Sequence, residues 1–214
     1  MRWIFSAALM VTAIGALAWF YKGIKKNTSK SIHQKNIPAD DDAAYRKELL
    51  RLNSYADVIE NFARQNNYNS RYTFLADMRL ASGRKRFFIY DLKKDSVLDA
   101  GLVAHGSGSD FGDSLHFSNL PESNCTSIGK YKIGNSYNGK FGLAYKLYGL
   151  DKTNSNAFER FVVLHSHACV PSGEVSPQPI CESWGCPTVA PSFLLTLKTY
   201  LDKTEKPMLL SIFY

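Results

Sequence analysis

The sequence predicts a mainly β domain with flanking helices, preceded by an apolar N-terminal segment and a polar linker. From Tyr72 onward, short apolar runs rich in aromatic and β-branched residues alternate with glycine and polar turn residues, which is typical of strands. Upstream of them, one stretch has apolar residues at helical spacing. The chain of 214 residues suffices for one domain of ordinary size with terminal extensions.

The N-terminal residues 1–21 are predicted to be a signal anchor or a signal peptide. Trp3 to Tyr21 is a run of 19 residues without a charge, about the length that spans a bilayer as a helix. Ala16-Leu17-Ala18 has the small-x-small form of a cleavage site, whereas Trp19-Phe20-Tyr21 continues the apolar run and favours an anchor. Either alternative places the domain in the periplasm or cell envelope, with the bacterial membrane as a partner.

The positive charge of the protein belongs to this N-terminal region. The formal net charge is +7, but residues 1–38 hold six Lys and Arg residues and no acidic residue. The rest of the chain is nearly neutral, with 20 basic and 19 acidic residues. The domain itself therefore has no basic face of the kind that binds nucleic acid, and no nucleic-acid partner is expected.

A linker and a helix are predicted to follow. Residues 22–42 are polar and lack an apolar period, which indicates a linker. Asp40 to Asp42 provide N-cap and first-turn acids for a helix from about Ala43 to Gln65, within a helical segment at 43–67. We expect its apolar face to pack against the main domain, residues 68–214.

Within residues 68–214 the strand candidates occur in a clear order. RYTFLADMRL and FFIYDL form a strand pair across the turn SGRKR, and SVLDAGLVAHG is a third strand. Turn signals follow at Gly108, Gly112, Asn135 and Asn138-Gly139. The remaining predictions are strands in FGLAYKLYGL and RFVVLHSHA, a helix at 191–201, and a closing strand in MLLSIFY.

The candidate chemistry is concentrated in residues 164–189, LHSHACVPSGEVSPQPICESWGCPTV. Cys186 is a candidate nucleophile, because a nearby histidine such as His165 can accept its proton. His165 ends a β-rich run, and the loop of 21 residues can bring Cys186 back beside it. The backbone N–H groups of Ser183 to Cys186 could hold an oxyanion, and Gly185 would leave room for a substrate.

Two other interpretations compete for the same cluster. His165, His167 and Cys169 alternate along a strand and could bind zinc with Cys181 and Cys186, although the spacing matches no common zinc motif. Alternatively, Cys169 and Cys181 form a disulfide that pins the loop, as an exported domain allows. Cys125 would then be a small core residue.

Six ordered segments resemble the murein L,D-transpeptidase catalytic domain family of the YkuD type, in the branch whose signature ends in S-W-G-C-P. The segments are VAHGSGSD at 103–110, HFSN at 116–119, SIGKY at 127–131, YNGKFGLAYKLYGLD at 137–151, ERFVVLHS at 159–166 and ESWGCPTV at 182–189. The resemblance implies a β-sandwich or barrel-like catalytic domain. It places the catalytic cysteine at Cys186 and the catalytic histidine at His165. Ser166 falls where a backbone carbonyl orients the imidazole.

The sequence departs from the family pattern at Trp184, and several residues have alternative interpretations. Trp184 replaces a common second histidine, which puts substrate contacts in doubt rather than the chemistry. His167 is a rival base, His105 is a candidate substrate contact, and Arg160 is expected to be a solvated charge at a strand edge. Cysteine peptidases of other families usually place cysteine before histidine, whereas the order is reversed here. A non-catalytic envelope-binding module is the alternative of another class.

The activity implied by the resemblance is acyl transfer on peptidoglycan tetrapeptide stems. Cys186 would form a thioester with release of D-Ala, and an amine of another stem would resolve it to a 3–3 cross-link. Water as acceptor would make the protein an L,D-carboxypeptidase, and an amine on an envelope protein would make it an attachment enzyme. No metal or cofactor is needed for this chemistry, and a monomer is expected.

Overall fold

The structure is a computed structural model that describes residues 39–110, 112 and 114–214. These residues form nine strands and two helices. The helices are α1 (Ala39–Gln65) and α2 (Pro191–Leu201), and a 3-10 turn spans Ser107–Ser109. The strands are β1 (Tyr72–Asp77), β2 (Phe87–Asp91), β3 (Ser96–Gly101), β4 (Val103–Ala104), β5 (Gly129–Gly139), β6 (Gly142–Gly149), β7 (Val163–Ser166), β8 (Thr188–Val189) and β9 (Leu209–Phe213).

The predicted N-terminal anchor and residues 22–38 of the predicted linker lie outside the described residues. Of the helices that are described, neither is long and apolar enough to cross a membrane. Residues 39–42, which the sequence assigned to the linker, belong to α1. The helix thus begins at Ala39, four residues before the predicted start at Ala43.

The strands form a single sheet in the order β3-β2-β1-β9-β5-β6-β7-β8-β4. The pairs β1-β9 and β7-β8 are parallel, and the other neighbours are antiparallel. The two edge strands, β3 and β4, are consecutive in the chain and separated by Leu102 alone. The sheet therefore curls until its edges nearly meet, which confirms the predicted mainly β, barrel-like fold with flanking helices.

Both faces of the sheet are covered. Successive residues of β1 and β2 point to opposite faces and are nevertheless buried, so Phe74 and Phe87 enter one core while Leu75 and Phe88 enter another. The first core lies inside the curled sheet and is closed by Phe193 and other residues of α2. Because both faces are buried, these strands read as continuous apolar runs rather than as an alternating pattern.

The second core lies between α1 and the outer face of the sheet. Leu52, Ala56, Ile59 and Ala63 recur at three- and four-residue steps and are all buried. They pack against strand residues such as Tyr90, and Tyr45–Tyr214 form one compact unit. The expected packing of this helix against the sheet is confirmed for that unit.

Several strands differ from the sequence expectation. Asn135, predicted to be in a turn, lies inside β5, where the pairing with β6 shifts register between Ile133 and Ser136. The single strand predicted in SVLDAGLVAHG divides into β3 and β4, which lie at opposite edges of the sheet. The C-terminal β9 is not an edge strand but lies between β1 and β5. Such partners are set by tertiary pairing, which local sequence does not encode.

Candidate active site

Cys186 and His165 line one cavity of about 360 Å³, as the sequence predicted from the length of the connecting loop. His165 is opposite Ala144 of β6 on one side and Thr188 of β8 on the other. Cys186 precedes β8 by two residues, so the parallel pairing of β7 with β8 returns the loop beside the histidine. The cavity is lined by Lys140, Phe141, His165, His167, Cys169, Glu182, Ser183, Trp184, Cys186 and Thr188.

The Cys186 thiol is free and lies against the chain that enters β7. The backbone N–H of Val163 donates to Sγ at 3.4 Å, and the carbonyl oxygen of Phe161 is 3.8 Å from Sγ. Burial raises the pKa of this thiol, while the Val163 N–H and the Arg160 charge act to lower it. Desolvation is the largest of these effects, so the resting sulfur is a thiol.

His165 is held at both ring nitrogens. Nδ1 lies 3.1 Å from the carbonyl oxygen of Ser166, as expected for a carbonyl that orients the ring. Because a carbonyl only accepts, Nδ1 carries the proton and Nε2 accepts from the Thr188 hydroxyl at 2.9 Å. Burial lowers the pKa of His165, the Ser166 carbonyl raises it, and His167 lowers it. The resting imidazole is thus neutral and can accept a proton.

Two residues beside the histidine were missed by sequence reasoning. Thr188 contacts His165 Nε2 and also lies 3.3 Å from the carbonyl oxygen of Cys186. Phe141, at the tip of the β5-β6 hairpin, stacks on the His165 ring with 5.1 Å between centroids. Thr188 pairs with His165 across β7 and β8, a register that the local sequence does not show. No local signal relates Phe141 to His165, because hairpin β5-β6 must first pair with β7.

The Ser183 to Cys186 segment is more constrained than predicted. Gly185 has φ +103°, and a Cβ there would lie 2.8 Å from the carbonyl oxygen of Cys125. Glycine is thus required by the backbone, rather than by an approaching substrate. The Ser183 N–H donates to the His105 carbonyl, and the Gly185 N–H donates to Ser183 Oγ. These two N–H groups hold the loop, so their predicted role as oxyanion donors does not fit the geometry.

The cysteines of the loop form a disulfide. Cys169 and Cys181 are bonded, with 6.0 Å between their Cα atoms. Their sulfurs are therefore not available as thiolate ligands, which contradicts the zinc interpretation and supports the disulfide interpretation. Cys125 is buried, as expected for a core residue, and its Sγ lies 2.9 Å from the carbonyl oxygen of Gly108.

Arg160 is not the solvated strand-edge charge that the sequence suggested. It is partly buried, and its guanidinium donates to the carbonyl oxygens of Ser118 and Cys125 at 2.9 and 2.7 Å. A Cβ on Gly185 would lie 3.3 Å from Arg160 Nη2. The guanidinium therefore lies directly behind the loop that carries Cys186, where its charge acts on the thiol.

The other predicted site residues occupy different environments. Trp184 lines the cavity with 75% of its surface exposed, and His167 lines it as an exposed side chain. His167 Nδ1 accepts from the Cys169 N–H at 3.2 Å, so one of its nitrogens is occupied. His105 is buried, its Nδ1 lies 2.8 Å from Arg86 Nη2, and it is not among the residues that line the cavity.

Comparison with solved structures gives the following similarities. An L,D-transpeptidase from Mycobacterium smegmatis is 12% identical, with a TM-score of 0.39, 67% of this chain covered and 59% of that chain. The helical cell shape determining protein Pgp2 from Campylobacter jejuni is 11% identical, with a TM-score of 0.40 and coverage of 66% and 47%. Bdellovibrio bacteriovorus Bd1075 is 18% identical, with a TM-score of 0.41 and coverage of 69% and 49%.

This chain spans 47% to 59% of the length of these three structures. Among curated proteins, none matches the chain significantly. The family model described as the L,D-transpeptidase catalytic domain matches residues 46–209, which include most of α1, strands β1 to β8 and the residues that line the Cys186 cavity. This chain therefore belongs to the L,D-transpeptidase catalytic domain family.

Proposed function

We propose that this protein is a cysteine acyltransferase of the cell envelope that acts on peptidoglycan tetrapeptide stems and forms 3–3 cross-links. The observation that carries the proposal is that Cys186 and His165 line one cavity. The thiol is free and the His165 imidazole has an unprotonated Nε2, which supports His165 as the base that takes the Cys186 proton. Membership of the family supports a peptidoglycan substrate.

In the first half-reaction, the Cys186 proton passes to His165 Nε2 and the sulfur attacks the carbonyl of the third stem residue. A C–S bond forms, the C–N bond to the terminal D-Ala breaks, and His165 returns the proton to the leaving amine. Because the N–H groups of Ser183 and Gly185 are used inside the loop, the oxyanion would use those of Trp184 and Cys186.

In the second half-reaction, an amine of another stem attacks the thioester, and the C–S bond breaks with return of a proton to sulfur. The product is a 3–3 cross-link. If water is the acceptor, the product is a tripeptide stem and the protein is an L,D-carboxypeptidase. If the amine belongs to an envelope protein, the same step attaches that protein to peptidoglycan. The segment at residues 3–21 would hold the domain at the membrane or direct its export.

The test is incubation of the purified full-length chain with a disaccharide-tetrapeptide, with products identified by mass. Release of D-Ala with a 3–3 dimer is expected, and tripeptide alone would indicate the carboxypeptidase. Cys186→Ala should abolish both products, whereas Cys125→Ala, which changes the other free cysteine, should retain them. If the native chain binds the substrate but releases no D-Ala, the non-catalytic binding module is the correct alternative.

A further inference from the structure

A second polar cluster lies beside the cavity and consists of His105, Asp110 and Glu182. One ligand atom of each lies within 4.8 Å of the other two, and His105 Nε2 is 3.9 Å from Glu182 Oε1. Glu182 also lines the cavity that contains Cys186. Ser183 connects the two sites, because its N–H donates to the His105 carbonyl at 2.8 Å and its hydroxyl donates to the Cys186 carbonyl at 2.6 Å.

The protonation of His105 is fixed by Arg86. Arg86 Nη2 lies 2.8 Å from His105 Nδ1, and a guanidinium has only N–H donors, so Nδ1 must accept. Burial and the Arg86 charge lower the pKa of His105 to about 4, so the ring is neutral and its proton is on Nε2. The side chain is 6% exposed, and Nε2 has no hydrogen-bond partner among the described residues. A buried donor without an acceptor is costly.

This protonation state argues against a metal ion in the cluster. A ring nitrogen that carries a proton has no lone pair for a cation, and moving that proton to Nδ1 would set it against the Arg86 donor. The cluster instead offers one N–H donor and two carboxylate acceptors. An atom between the three groups would lie about 2.8 Å from each, a hydrogen-bond distance. A group that fits has one lone pair and two hydrogens, as a primary amine has.

We propose that His105, Asp110 and Glu182 form the subsite that binds the primary amine of the acyl acceptor. This inference rests on the proposed acyltransferase function and specifies the acceptor as an amine. The acceptor arrives as an ammonium ion and first transfers one proton to the Glu182 carboxylate. The neutral amine then accepts from His105 Nε2 through its lone pair, donates its two hydrogens to carboxyl oxygens of Asp110 and Glu182, and leaves the subsite to attack the thioester.

The electrostatics of the carboxylate pair agree with this role. Burial raises the pKa of Glu182, and the neighbouring Asp110 raises it further by its charge and by a hydrogen bond. Two adjacent carboxylates repel each other when both are charged, and a bound ammonium ion relieves that repulsion. Glu182 is also suited to accept a proton, because its raised pKa lies closer to neutral pH.

The test measures how the acyl-enzyme of the full-length chain divides between amine and water. The donor is the disaccharide-tetrapeptide, and the acceptor is a diamino-acid tripeptide that has no D-Ala to lose. Glu182→Gln and Asp110→Asn keep the shape of the cluster and remove its charge. Each should raise the KM for the acceptor roughly tenfold and shift products from the cross-link toward hydrolysis.

Glu205→Gln, an exposed carboxylate outside the cluster, is the matched control and should leave the KM for the acceptor unchanged. An unchanged KM in both cluster variants, with normal D-Ala release, would overturn the subsite while the proposed function stands. Loss of hydrolysis without a change in that KM would identify a water site instead. Inhibition of transfer by EDTA would identify a metal site. Absence of D-Ala release from the native chain would refute the proposed function itself.

Discussion

At the scale of single residues, burial leaves both members of the candidate catalytic pair uncharged. It raises the pKa of the Cys186 thiol and lowers the pKa of the His165 imidazole. A preformed thiolate-imidazolium pair is therefore not the resting state. In the proposed mechanism, the thiol therefore loses its proton to Nε2 of His165 only as the substrate binds.

The reactivity of Cys186 in the free protein should accordingly increase only at alkaline pH. Because the pKa of the thiol is raised, the thiolate fraction increases only above the ordinary thiol range near 8.5. The measurement is the rate of alkylation of Cys186 by iodoacetamide against pH, read by peptide mass. Arg160→Gln should move the midpoint of this pH profile to higher pH, and Arg160→Lys should move it less, since lysine keeps the charge. A midpoint at or below pH 7 for the native protein would contradict the raised pKa of Cys186.

Thr188 is expected to orient the His165 imidazole through its hydroxyl group. Thr188→Val keeps the shape and removes the hydroxyl that donates to Nε2, so the ring loses one of its two bonds. The kcat for D-Ala release should fall about fivefold, since one hydrogen bond contributes about 1 kcal/mol. Thr188→Ser keeps the donor and should retain most of the rate. Equal kcat values for Thr188→Val and Thr188→Ser would show that the Thr188 hydroxyl does not orient His165.

At the scale of elements, the β5-β6 hairpin covers the candidate base. Phe141 at its tip stacks on His165 and meets His167 edge-on, with 5.8 Å between the latter centroids. The tip is a tight turn in which Gly142 has φ +80°, so the chain can reverse there and place the aromatic ring over the cavity. We therefore expect this ring to contribute to the burial that lowers the pKa of His165.

Phe141→Ala should uncover one face of the imidazole and let water reach it. The pKa of His165 should then rise toward its ordinary value near 6.5, because desolvation is the main cause of its depression. NMR titration of the histidine ring signals is the measurement, and Phe141→Leu, which keeps apolar cover, is the control. An identical titration in the alanine variant would show that the hairpin does not set this pKa.

The elements also show what sequence could and could not predict. The spacing of Leu52, Ala56 and Ile59 is a local signal, and α1 was predicted from it apart from its first turn. Cys186 and His165 were proposed as the catalytic pair because the ordered segments of a family carry them. The turn predicted at Asn135 was wrong, because a bulged strand tolerates asparagine, a residue that otherwise favours turns. The Phe141 stack and the Arg86-His105 contact join residues far apart in sequence, and only the pairing of the sheet brings them together.

At the scale of the whole molecule, the neutral histidine at position 105 makes stability depend on pH. Its pKa is about 4 in the folded protein and about 6.5 when unfolded, so between these values the unfolded chain binds more protons. The contribution of neutral His105 to the free energy of unfolding is complete above pH 6.5 and decreases as the pH falls. By pH 4 about 3 kcal/mol of this contribution is lost.

Thermal unfolding of the full-length chain between pH 7 and pH 4 tests this. The native protein should lose roughly 10 °C in Tm from this histidine alone. His105→Gln keeps an acceptor for Arg86 and cannot gain a proton, so its Tm should fall less steeply over the same range. Parallel curves for the two proteins would show that His105 is not the group responsible.

The whole account depends on Cys186 as the residue that becomes acylated. The most direct test is to incubate the full-length chain with a carbapenem, which acylates a nucleophilic thiol, and to map the adduct by peptide mass. The expected result is one adduct per chain, on Cys186, with the Cys169–Cys181 disulfide intact. An adduct on Cys125, Cys169 or Cys181, or an equal yield of adduct in Cys186→Ala, would contradict the account.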